Sequence, residues 1–218
     1  MKIQCIIQFV KVMKKKNNFL IVGIFIIIIG IIIGIIPIFI KQNKTKAENK
    51  KIDDYIESTS IINTSQSELK SNTNIDTSNI NKEEYLLVIE IPKINLRRGV
   101  YSLNSKLNSI KYNVQLMKES TMPNLNKSNL VLAAHNGNSK ISFFDKLYKL
   151  KKDDEVYIYY NGVKYIYKLD KVYDVKKDGD VEVYRDYDKK TLTLITCKRN
   201  TKDMQSLFIL YLDKSEDY

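Results

Sequence analysis

Tryptophan is absent from this chain, histidine occurs once, cysteine twice and proline three times among 218 residues. Each scarcity excludes something. One His and two Cys, without a tight carboxylate cluster, cannot build a transition-metal site, so no metal and no other cofactor is expected. Asp178, Asp180 and Glu182 alternate, but a charged edge strand or turn accounts for them better than a calcium loop. The seven glycines form no phosphate-cradling loop. The net charge of +11 is spread along the chain, +4 over residues 1–84 and +7 over residues 85–218. No basic run interleaves with aromatics as in a groove-lining surface, so nucleic acid is not an expected partner.

What the chain has in excess is isoleucine, concentrated near one end. Phe19 to Ile40 is a run of 22 residues without a charge, interrupted only by Gly23, Gly30, Gly34 and Pro37. At ~1.5 Å per residue it is long enough to cross a hydrocarbon core of ~30 Å. No Ala-x-Ala-like cleavage site follows Ile40, so an uncleaved anchor held in membrane lipid is expected rather than a signal peptide. Five lysines precede the run and five follow it closely, so flanking charge alone does not orient it. Met13-Lys-Lys-Lys16 is an alternative start site to Met1.

Residues 41–84 are rich in Asn, Ser, Thr and Lys, and hold no sustained periodicity. Such a segment buries too little apolar surface to offset its ordering entropy, and a flexible linker is expected, with a short helix over part of Lys50–Ser58 as the lesser alternative. After Glu84 the pattern changes. Tyr85 to Ile91 reads as a buried strand stopped by Pro92, and Leu130 to Ala134 as another. Apolar residues at 103, 107, 110 and 114 suggest one short helix, and Ile141, Phe144, Leu147 and Leu150 a second. Glu155 to Tyr160 and Val163 to Leu169 flank Asn161-Gly162, a strong hairpin signal. Lys171–Val175, Thr191–Cys197 and Leu207–Leu212 complete the strands, with a turn at Asp178-Gly179. The fold class expected is mainly β, a small closed barrel of seven or eight strands with one or two short helices.

Two of these strands end in reactive side chains. Leu130-Val-Leu-Ala-Ala-His-Asn-Gly137 delivers His135, and Leu192-Thr-Leu-Ile-Thr-Cys197 delivers Cys197. A thiol and an imidazole are the two parts of an activated sulfur nucleophile. They lie 62 positions apart, so only a fold can bring them together. With residues 19–40 as a span, Cys5 and Cys197 stand on opposite sides of the membrane and cannot pair.

Thr193-Leu-Ile-Thr-Cys197 resembles the signature of the sortases, membrane-anchored cysteine transpeptidases of Gram-positive bacteria. Ala133-Ala-His-Asn-Gly137 is similar to that family's His segment, Leu87-Val-Ile-Glu-Ile-Pro-Lys-Ile94 to its first barrel strand, and Met122-Pro123 to the approach to the His strand. The resemblance runs over residues 85–213. It implies a cytoplasmic tail (1–18), a single transmembrane anchor (19–40), a linker (41–84) and an extracellular catalytic β-barrel (85–218). It implies that Cys197 attacks a backbone carbonyl in an LPxTG-like sorting motif. A thioester forms, and an amine of a wall precursor or a pilin lysine takes over the acyl chain. His135 would move the protons, and Thr196 would contribute a donor to the substrate. The family's third residue is an Arg on the strand after the Cys loop, where this chain has Gln205 or Ser206. Arg199 from the loop or Gln205 as a neutral donor are the two replacements expected. Without the Arg, a degenerate barrel that binds peptide or wall material is the alternative. Papain-like peptidases place the Cys before the His in the chain, and L,D-transpeptidases need a Gly where Thr196 stands, so neither fits.

Overall fold

Alternation of apolar and polar residues builds the barrel one strand at a time. The computed structural model describes residues 24–33, 35–36, 39–40, 42–43, 45–60, 84–179 and 181–218. The chain divides into two compact units, residues 1–48 and residues 49–218. In the first, the described residues are helical, and Ile24, Phe25, Ile33 and Phe39 are among many apolar side chains left exposed. Among the described residues no helix is long and apolar enough to cross a membrane. The expected span at 19–40 lies partly outside them, at 19–23, 34 and 37–38.

The second unit holds eight strands: β1 (Leu87–Ile91), β2 (Leu96–Val100), β3 (Gln115–Leu116), β4 (Asn129–Ala133), β5 (Glu155–Tyr160), β6 (Val163–Lys176), β7 (Thr191–Cys197) and β8 (Met204–Asp217). They form one sheet in the order β2-β1-β5-β6-β8-β7-β4-β3, curled into a nearly closed barrel. All neighbours are antiparallel except β4 and β7. Alternate residues of each strand fill the interior, among them Leu87, Ile89, Leu130, Leu132, Ile158, Tyr167, Leu192, Leu194, Phe208 and Leu210. The Asn161-Gly162 hairpin forms as expected, with φ of 51° and 72°, the double left-handed conformation of a two-residue loop.

Several expectations are corrected. Two short helices are present, as expected in number, but each is a single 3-10 turn: Leu147–Lys149 falls within the expected second helix, and Pro92–Ile94 follows β1, where none was expected. The stretch from Leu103 to Val114 is not a helix but a chain of turns, because its polar side chains capture the backbone. Asn108 accepts from the Leu116 amide at 2.7 Å and donates to the Leu116 carbonyl at 3.0 Å, as a neighbouring strand would. Residues 49–60, expected in the flexible linker, are helical. Ile52 is wholly buried, the Tyr55 hydroxyl donates to the Leu86 carbonyl at 2.7 Å, and Asp53 pairs with Arg97 of β2 at 2.6 Å. One apolar anchor and two long-range polar contacts supply what the sequence of the segment lacks. Residues 61–83 lie outside the described residues.

β2 is a strand that the sequence reading misses, since Leu-Arg-Arg-Gly-Val hides its alternation behind two charges and a glycine. Gly99 is there because the Tyr85 ring lies over it, where a Cβ would collide with the ring carbons. Gly99→Ala is expected to lower stability by about 1–3 kcal/mol through this overpacking, read by denaturant unfolding. Ile52→Ala is expected to cost about 2–4 kcal/mol as a large-to-small change at a buried site. The same unfolding experiment on the full chain checks it, since an undocked helix would make the substitution neutral.

Candidate active site

Parallel pairing of β4 with β7 sets the site. Asn129 lies opposite Thr191 and Ala133 opposite Ile195, a constant offset of 62. The pairing runs past the end of β4, since the Ala134 amide donates to the Ile195 carbonyl at 3.2 Å. Carried one residue further, the same offset puts His135 beside Cys197. Neighbouring strands lie ~4.8 Å apart, so the imidazole and the thiol leave adjacent backbone positions. Leu130, Leu132 and Ala134 of one strand and Leu192 and Leu194 of the other face the core. Alternation then turns His135 and Cys197 to the outer face of the barrel together.

Three contacts hold this pair of strand ends. The Asn136 side-chain amide donates to the Cys197 carbonyl at 2.8 Å. The Thr196 hydroxyl donates to the Ala134 carbonyl at 2.9 Å. The amide of Phe144, a buried residue, donates to the His135 carbonyl at 3.0 Å. Between His135 and Phe144 the chain doubles back through Gly137, whose φ of +138° is a conformation that side-chain-bearing residues rarely adopt. Cys197 is a free, half-buried thiol. His135 is half-buried, and among the described residues its ring has no hydrogen-bond partner.

Thr196, expected to meet substrate, has its hydroxyl committed inward to Ala134. Gln205 lies directly opposite Cys197 across the β7–β8 ladder, on the same outer face, and is only 9% exposed. Ser206, the other position at the expected Arg register, donates to Asp174 at 2.6 Å. Arg199 is exposed, and its guanidinium stacks 4.4 Å from the centre of the Tyr148 ring. It makes no ion pair or hydrogen bond to His135 or Cys197 among the described residues. Lys198 is paired with Asp174 at 2.7 Å. That hydrogen bond, with the one from Ser206, holds the Asp174 carboxyl below its ordinary range.

Two residues at the site escape the sequence reading. Asn136 could have been noticed for its place after His135. Lys177 could not, because only the register of β6 on β8 brings it near. Val175 opposes Gln205, and the Lys177 amide donates to the Asp203 carbonyl at 2.9 Å. Its ammonium then reaches the Cys197 sulfur at 3.6 Å. Among the described residues, no group of three or more His, Cys, Asp or Glu could hold a metal ion. A thiol and an imidazole on adjacent strand ends can act as nucleophile and proton carrier.

A sortase-domain model matches residues 89–213. No curated protein shows significant similarity to the chain. Solved structures share the fold at low identity. Sortase C of Streptococcus pneumoniae superposes with a TM-score of 0.57 at 18% identity, over 79% of this chain and 98% of that one. Sortase A of Corynebacterium diphtheriae gives 0.55 at 18%, over 79% and 96%. A sortase D5 transpeptidase of Clostridium perfringens gives 0.55 at 19%, over 77% and 98%. The domain match takes in more than half of the sequence and both strands that carry the thiol and the imidazole, and the chain belongs to the sortase family of cysteine transpeptidases.

Proposed function

We propose that this transpeptidase cleaves an LPxTG-like sorting motif near the C-terminus of secreted proteins and joins the acyl fragment to an amine. What supports this reading is the parallel β4–β7 register, paired through Ala133 and Ile195, whose offset carried past β4 sets His135 beside Cys197. Cys197 is the nucleophile and His135 the proton carrier. As sulfur attacks the scissile carbonyl, its proton passes to the imidazole. The C–N bond then breaks, the same proton goes to the departing amine, and a thioester remains. An amine of a wall precursor or a pilin lysine resolves the thioester. It gives its proton to His135 and leaves the thiol free again. Asn136 fixes the backbone on either side of the reacting pair. Gln205, beside Cys197, presents a neutral donor toward the same face, whereas Arg199 on the loop is stacked on Tyr148.

The enzyme is held in the membrane by residues 19–40, with the N-terminus in the cytoplasm and the barrel outside. The uncharged run and the exposed isoleucines of residues 24–40 support this, since a helix apolar on all sides belongs in lipid. The full chain is expected in the alkali-resistant membrane fraction, and deletion of residues 19–40 is expected to release it. Recovery of the intact chain in the soluble fraction would sink the anchor.

The detergent-solubilised chain, mixed with five-residue sorting peptides and an amine, is expected to form an acyl adduct on Cys197 and a ligated product, both seen by mass spectrometry. Cys197→Ala removes the adduct, and His135→Ala slows its formation by ~10²–10⁴-fold. A folded protein whose Cys197 is alkylated normally but acylated by no peptide would refute the sorting reaction.

A further inference from the structure

The oxyanion of an acyl-transfer reaction needs a donor, and the position expected to hold a guanidinium carries Gln205 and Ser206 instead. Ser206 is bonded to Asp174, Lys198 is neutralised by the same carboxylate, and Arg199 is stacked on Tyr148. One cation is placed differently. Lys177 sits at the end of β6, its backbone fixed to Asp203 of the loop before β8, and its ammonium donates to the Cys197 sulfur at 3.6 Å. Among the described residues no carboxylate pairs with it. One residue past β6, it continues the alternation of Val175, which opposes Gln205, itself opposite Cys197.

We infer that Lys177 is a catalytic residue of this enzyme, supplying from β6 the positive charge that stabilises the oxyanion on the carbon bonded to Cys197. The inference rests on the proposed acyl transfer. When sulfur bonds to the carbonyl carbon, the π electrons move to an oxygen only two bonds from sulfur. A donor already 3.6 Å from that sulfur needs little movement to come within ~3 Å of the new oxyanion. On collapse the electrons return to the carbonyl, the C–N bond breaks, and the proton held by His135 leaves with the amine. Lys177 keeps its proton throughout. A lysine differs from an arginine in this role, because it offers a compact, mobile charge in place of a planar fork.

The test uses the full chain in detergent with Lys177→Met, Lys177→Arg and Arg199→Ala. The first readout needs no peptide: the rate of Cys197 alkylation by anionic iodoacetate relative to neutral iodoacetamide. A unit charge ~4 Å from the reacting atom favours the anion about fivefold in water. Lys177→Met is expected to remove that preference and Lys177→Arg to restore it. The second readout is acylation by the sorting peptide. Lys177→Met is expected to lower kcat by ~10²-fold with KM unchanged, with partial rescue by Arg and no change in thermal midpoint. Unchanged kcat in Lys177→Met overturns the inference, whatever the alkylation ratio. So does a larger loss of both readouts in Arg199→Ala than in Lys177→Met. If the wild type alkylates but never acylates, the transpeptidase reading fails. The iodoacetate preference then decides alone whether Lys177 supplies charge at the sulfur.

Discussion

Parallel strands are joined by evenly spaced, slanted hydrogen bonds, so a register set at one end is carried unchanged to the other. In this barrel the β4–β7 pair is the single parallel contact among the described strands, and the two reactive side chains sit at its terminus. The pairing is fixed deep in the core, where Leu130, Leu132, Leu192 and Leu194 are wholly buried. A slip of one residue would bring those side chains to the surface and turn the thiol inward. The burial that stabilises the barrel is therefore also what aligns the thiol with the imidazole.

Around that pair the charges are sorted rather than piled up. Asp174 neutralises Lys198 and Tyr148 carries Arg199. The ammonium of Lys177 is left facing sulfur. Lys198 follows Cys197 in sequence but is drawn to Asp174, so chain proximity is a poor guide to which cation faces the thiol. A residue 20 positions away is the nearer one in space.

Much of this was legible in the sequence where apolar residues alternate and a turn has its own chemistry. The strands bearing His135 and Cys197, the Asn161-Gly162 hairpin and the family itself follow from short stretches. Features that depend on partners were not legible. Residues 49–60 carry a polar composition, and their helix is set by Ile52, Asp53 and Tyr55 meeting the barrel. Leu103 to Val114 has the spacing of a helix, yet Asn108 finds better partners on Leu116. Lys177 bears no local mark, since its role depends on how β6 lies on β8. Pattern reading sees periodicity along one strand, whereas cross-strand register belongs to two.

The outward direction of Cys197 has a consequence for what can be processed. A nucleophile inside a barrel lumen acts only on what fits through the mouth. One on the outer wall, half-buried as Cys197 is, is reached from outside the barrel and not through its mouth. Under the proposed acyl transfer, such a site asks of the donor only a short extended tail laid across the wall, not entry of the whole chain into a lumen.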